Sequence, residues 1–131
     1  MKVDWSERGK LPPVSEEMRA WSAALSAELH HWPQVAQKSF FGFTALYYDT
    51  TMFGLLPRTC SIFKGNVIAF RFDRMSKSLR TRLESDSRIQ AFDKEKTRWF
   101  TFELCHDADL HEALEYLACA FDAVRTSKKT K

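Results

Sequence analysis

The sequence predicts an α+β domain, a two-layer sandwich of an about five-stranded antiparallel sheet with three helices, in the order α-β-β-β-β-α-β-α. Three observations carry that prediction. Apolar residues recur at spacings of three and four in three separate stretches, as helices with one buried face require. Between them lie aromatic and β-branched runs that alternate with period two. Only short polar turns separate successive runs, which favours antiparallel hairpins over crossover connections.

The elements follow in order. Residues 1–13 are polar and end in Pro12-Pro13, reading as a mobile arm before a domain over 14–126 and a basic tail over 127–131. Ser15 before Glu16-Glu17 is a helix N-cap with acids in the first turn, where the helix dipole favours them. Met18, Trp21, Leu25, Leu29 and Trp32 then draw one apolar stripe, stopped by Pro33, so the first helix covers about 15–31. Val35 to Phe41 and Phe43 to Tyr48 read as strands around a bend at Gly42, and Met52 to Leu56 as a third, ended by Pro57. Lys64-Gly65-Asn66 marks a turn into Val67 to Phe72, whose alternation puts Ile68, Phe70 and Phe72 on one face and Val67, Ala69 and Arg71 on the other. Met75, Leu79 and Leu83 predict a short helix over 75–85. Arg98 to Leu104 is the fifth strand, with Phe100 and Phe102 opposite Trp99, Thr101 and Glu103. The last helix is capped by Asp107 or Asp109, and Leu110, Ala113, Leu114, Leu117, Ala120, Phe121 and Val124 give it a full-length stripe.

Three short pieces resemble the N-terminal domain of the TfoX family: Lys38-Ser39-Phe40-Phe41-Gly42, Thr51-Met52-Phe53-Gly54, and the strand ending Ala69-Phe70-Arg71. Phe40 stands where that family has Met, and Thr50-Thr51 replaces its Gly-Lys. The resemblance implies the small α+β sandwich shared with YjbR-like and secretion-chaperone-like proteins. It also implies a bacterial regulatory or adaptor role, and it brings no catalytic motif. Arg98-Trp99-Phe100-Thr101-Phe102, followed by an Asp-led helix ending Ala120-Phe121, is similar to bacterial luciferase-named domains of unknown function.

Composition excludes several classes. Of the 131 residues 44% are hydrophobic, and Gly and Pro number four each, which is the make-up of a folded domain and not of a disordered chain. No run approaches the ~18 apolar residues of a membrane span, and the first residues lack a signal-peptide core, so the expected address is the cytoplasm. Three cysteines without metal-type spacing fit reduced thiols. The net charge of +3 conceals an asymmetry: 8 basic and 4 acidic residues over 74–98 adjoin 1 basic and 6 acidic over 99–126. Mutual compensation on the surface or across a dimer contact accounts for that pattern. Its alternative is a nucleic-acid patch formed by Arg74, Arg80, Arg82, Arg88, Lys94, Lys96 and Arg98.

No catalytic, cofactor or metal site is expected. His106 and His111 are five apart, about 140° around a helix, and do not share a face as ligands would. Cys105 beside His106 sits among acids that disfavour a thiolate, and the four glycines cannot compose a phosphate loop. Cys105, His106 and His111 are the only groups on which a small-ligand reading could rest. His30-His31 read as caps on the carbonyls of the first helix.

The sharper expectation concerns the sheet. If the helices cover Phe70, Phe72, Phe100 and Phe102, the opposite face exposes Trp99, Thr101, Glu103, Val67, Ala69 and Arg71, joined by one alternation phase of the first hairpin. That phase is either Phe41, Phe43 and Tyr47 or Phe40, Leu46 and Tyr48. An open aromatic face implies a homodimer or other protein partner, coverage by the N-terminal arm through Trp5, or a platform on which Trp99 stacks a ligand or base.

Overall fold

The computed structural model describes residues 13–62, 65–72, 75–91 and 98–129, the side chains of 127–129 excepted. Trp5 and the rest of the N-terminal arm lie outside them. The elements are α1 (Glu16–Leu29), β1 (Val35–Phe40), β2 (Phe43–Tyr48), β3 (Thr51–Pro57), β4 (Val67–Arg71), α2 (Lys77–Ser85), β5 (Ile89–Ala91), β6 (Trp99–Glu103) and α3 (Asp109–Lys129). They form an α+β domain around one open antiparallel sheet of order β1-β2-β3-β4-β6-β5. The sheet has six strands, one more than expected. The addition, β5, is too short at three residues to show an alternation in the sequence.

Helix starts follow local chemistry. The Ser15 hydroxyl accepts the Met18 N–H at 3.0 Å, and Ser76 does the same for Leu79 at 3.1 Å. Met75 thus precedes α2 instead of opening it, and its side chain packs against the main core. At α3 neither aspartate acts as a simple N-cap. Asp109 Oδ2 reaches back to accept the N–H groups of Cys105 (2.7 Å) and His106 (3.0 Å), while Asp107 Oδ1 accepts the Trp21 indole N–H at 2.6 Å. At the end of α1 the backbone N–H groups of His30 and His31, not their rings, bond the Ser26 and Glu28 carbonyls. Helical backbone in α3 continues to Lys129, past the boundary at 126 that the basic tail suggested.

Two glycines are required by geometry. Phe41 and Gly42 both take positive φ, 49° and 87°, so β1 and β2 are joined by a two-residue turn of the kind whose twist matches the strands. The Gly42 carbonyl then accepts the N–H groups of Arg58, Thr59 and Cys60, which curls the chain after β3 around the hairpin tip. Gly54 lies beneath α3, where a Cβ would stand 2.9 Å from Leu46 Cδ1 and 3.2 Å from Leu117 Cδ2. Beside it the β2–β3 register shifts: Leu46 opposes Gly54 and Tyr47 opposes Met52, leaving Phe53 as a bulge residue. Phe53 is thereby kept on the helix side, against Phe121.

The helix-side core holds the stripes of α1 and α3 against Leu46, Phe53, Leu56, Ile68, Phe70, Phe72 and Phe102. Its centre is Tyr116, stacked on Phe70 with ring centroids 5.4 Å apart. This burial is the principal stabilising contribution, at about 25 cal/mol per Å² of apolar surface removed from water.

The second face is not open at its centre. Phe43, Ala45, Leu55, Val67 and Ala69 form a second, smaller core with Ile62, and Thr101 is also buried. The segment after Pro57 folds back over the sheet because the Gly42 carbonyl holds Arg58, Thr59 and Cys60. Pro13 bridges to Cys60, and the Val14 N–H donates to the Thr59 carbonyl at 3.2 Å, so Pro13 belongs to the fold and not to an arm.

Gly42→Ala is expected to destabilise the protein by about 2 kcal/mol, because an L-residue is strained at this φ and its Cβ would meet Thr59 Oγ1 at 2.9 Å. Urea denaturation measures the loss as a lowered midpoint at unchanged slope.

Candidate interaction site

The register across the second face decides which side chains remain available. Ala45 pairs with Leu55, Leu55 with Ala69, and Ala69 with Thr101, making one buried row of mostly small residues. Towards one end of the strands, Tyr47 pairs with Met52 and Arg71 with Trp99. These four side chains are half-buried, and Tyr47, Met52 and Trp99 pack against the rim of the second core. Lys38 comes in from β1 and places its ammonium 5.2 Å from the Tyr47 ring centroid. The result is a band of Tyr, Met, Arg and Trp running across the sheet.

Of the residues expected on an exposed face, four are corrected by burial. Phe43, Val67, Ala69 and Thr101 are covered, the first three as members of the core with Ile62 and the last beside β5, where its hydroxyl donates to the Gln90 carbonyl. Trp99 and Arg71 keep partial exposure, and Glu103 is exposed at the opposite end of β6. The alternation phase of the first hairpin also resolves. Phe40 and Phe43 are register partners across the turn, so Phe40 joins Phe43 and Tyr47 on the second face, while Leu46 and Tyr48 face the helices. Alternation does not continue through a two-residue turn, which regroups Phe40 and Phe41 relative to the sequence expectation. Phe41, at the hairpin tip, is the large apolar residue most exposed among those described, at 44%.

The basic stretch is largely engaged with α3. Arg88 donates through Nε to Asp86 Oδ1 (3.1 Å), through Nη1 to Asp109 Oδ1 (3.0 Å) and through Nη2 to Glu112 Oε2 (2.7 Å). Its guanidinium also lies 4.8 Å from the Phe102 ring centroid. Arg82 pairs with Glu115 at 3.0 Å and lies over the Tyr116 ring, whose hydroxyl donates to Asp86 Oδ2 at 2.9 Å. Arg80 and Arg98 are exposed, and Arg74, Lys94 and Lys96 fall outside the described residues. Arg82 and Arg88 are therefore paired with carboxylates of the same chain, Arg82 at the surface and Arg88 in a more shielded position.

Protonation follows from this clasp. Burial alone would raise the Asp86 carboxyl, but hydrogen bonds from Arg88 and Tyr116 outweigh it and hold it below the ordinary carboxylate range. Asp109 is lowered chiefly by the Cys105 N–H. Burial, reinforced by the anionic Asp86, pushes Tyr116 up to about 12. Burial likewise raises the Cys119 thiol, against the opposing pull of Arg82, which keeps it protonated and a poor nucleophile at neutral pH.

Cys119 borders an open groove of about 530 Å³ between α2 and α3, lined also by Leu79, Arg82, Asp122 and Ala123. Cys105, His106 and His111 are exposed at or beyond the start of α3, with His111 3.5 Å from Glu115. Among the described residues, no group of three or more His, Cys, Asp or Glu could hold a metal ion, and no helix is long and apolar enough to cross a membrane. Sequence reasoning missed Tyr47 and Met52 as a cross-strand pair, the cover supplied by Ile62, and the role of Arg88. The one available signal was the apolar pair Ile62-Phe63 in the connection after Pro57.

Two pH-dependent losses are expected. Asp86 and Asp109 have lowered folded values, so their stabilisation is present above the ordinary carboxylate range and disappears as pH falls below about 4. Tyr116 has a raised folded value, so its contribution is complete below about pH 10 and is lost as pH rises towards about 12. Arg88→Met, which leaves three carboxylates without their cation, should cost about 2 kcal/mol at neutral pH. Tyr116→Phe should abolish the alkaline loss and, by removing one of the hydrogen bonds that lower Asp86, also shrink part of the acid one. Circular dichroism melts across pH measure both.

Compared with known protein families, curated proteins and solved structures, the chain matches none.

Proposed function

We propose that this chain is a non-catalytic interaction module that works as a homodimer and presents the second face of its sheet to a protein partner. The observation that carries this reading is the half-buried band of Tyr47, Met52 and Trp99. These side chains rest on a completed small core, yet their outer surfaces have no further layer among the residues packed against that core. Aromatic residues and Met with a neighbouring cation are the composition enriched at the centres of protein interfaces, and a solvated surface favours Lys and Glu instead. The engagement of Arg82 and Arg88 by α3 also favours this reading over a phosphate-binding one. Regulation or adaptor activity, as the resemblance to the TfoX family implies, is a role such a module would serve.

Sedimentation velocity at micromolar concentration should give a dimer, and a monomer under those conditions overturns the homodimer. A Tyr47→Ala/Trp99→Ala variant should keep its fold and its sedimentation coefficient while losing the proteins that tagged wild-type chain retains from an extract of the source cells. Retention of the same proteins by both chains removes the second face as the contact surface.

A further inference from the structure

The two edges of the sheet are built differently. β5 is three residues long, short enough to offer little to another strand. β1 is six residues long, carries neither Pro nor a bulge, and pairs with β2 alone. Because Phe40 and Phe43 close a two-residue turn, the residues of β1 that bond inward to β2 are Phe40, Lys38 and Ala36. The backbone N–H and C=O groups of Val35, Gln37 and Ser39 therefore point away from the sheet, and among the described residues none of them bonds elsewhere in the chain.

Natural edges of this length are guarded by outward charges, most often Lys. The one charge on β1 is Lys38, and its ammonium is turned inward over the Tyr47 ring. The strand is also held in place before any partner arrives. Gln37 Nε2 donates to the Ser26 carbonyl at 3.0 Å, and the Ser26 hydroxyl donates to Gln37 Oε1 at 2.5 Å, tying β1 to α1. Ordering such a strand on binding costs little.

We infer that β1 is the edge at which a second copy of this chain adds, antiparallel, with Gln37 opposite Gln37 on the two-fold axis. The inference rests on the homodimer reading above and names the contact. In this register Val35 meets Ser39 of the second copy, so every outward backbone group of the strand is satisfied. Ala36 meets Lys38, which places a small neutral residue opposite each ammonium. Shifting the axis to Lys38 sets the two ammonium groups directly opposite each other, and shifting it to Ala36 leaves the Ser39 groups unpaired. One register alone satisfies both charge and hydrogen bonding. The product is a continuous sheet across the two copies. Both bands of Tyr47, Met52 and Trp99 lie on the same side of that sheet, giving a bivalent surface whose avidity exceeds that of either band.

Sedimentation equilibrium on the full chain tests the contact. Ser39→Pro removes an outward N–H without touching the β1–β2 bonds, at an edge position that accepts proline, and should weaken the dimer by roughly tenfold or more. Ala36→Glu, facing Lys38 of the second copy twice per dimer, should tighten it about fivefold at low salt, and Ala36→Lys should weaken it about as much. Opposite responses of the two Ala36 variants support the register even if Ser39→Pro fails to fold. A wild-type dimer unaffected by any of the three overturns this contact while leaving the homodimer standing, and a wild-type monomer overturns both.

Discussion

The structure depends on one constraint: its sheet is apolar on both faces, and its helices lie on one. The stripes of α1 and α3 are long enough to cover Leu46, Phe53, Ile68, Phe70 and Phe102, and they do. Phe43, Leu55, Val67 and Ala69 point the other way with comparable hydrophobicity. An α+β sandwich usually solves this by making the outer face polar. Here the chain covers part of that face by curling back after β3 and inserting Ile62, an arrangement held by three N–H groups on the single carbonyl of Gly42. The turn that aligns the first hairpin thus also anchors the cover of the second core. A change at Gly42 is felt on both sides of the sheet.

The second organising element is the Arg88 clasp. A basic stretch next in sequence to an acidic helix could belong to two surfaces with opposite tasks. In the fold the two meet: Arg88 gathers Asp86, Asp109 and Glu112, and Arg82 takes Glu115, joining α2, the turn into β5 and the first turns of α3. Arg82 is exposed enough for its pair to contribute little. Arg88 is better shielded, and its partners also hold Tyr116 and the loop before α3. Electrostatics here positions a helix and leaves less positive charge for an external ligand.

The legible parts of the sequence were those where one local rule acts alone. Ser15 and its acids marked the start of α1, and the stripe from Met18 to Leu29 marked its buried face, because capping and period are fixed within a few residues. β2 was delimited to the residue for the same reason. The illegible parts were those decided between distant segments. Which of Phe40 and Phe41 accompanies Phe43 depends on the turn geometry, not on counting by two. β5 exists because β6 offers it an edge, and three residues carry no pattern of their own. On the candidate face Trp99 and Arg71 keep partial exposure, but the burial of Phe43, Val67 and Ala69 required knowing where residues 58–62 go, and that of Thr101 required knowing that β5 pairs beside it.

What is left over after these demands are met narrows the functional chemistry. The carboxylates and guanidinium groups that could have formed a polar site are largely paired with one another, and the Cys119 thiol is held protonated by burial. The remaining capacity lies in aromatic and backbone groups: the band of Tyr47, Met52 and Trp99, and the outward amides of β1. Such groups gain free energy by excluding water and completing hydrogen-bond ladders, and neither process requires a reacting centre. They are also arranged along β1 and across the face next to it, so a strand added at the edge extends the face instead of hiding it. Association at the edge and recognition on the face are therefore compatible in one assembly, and each can strengthen the other through valency alone.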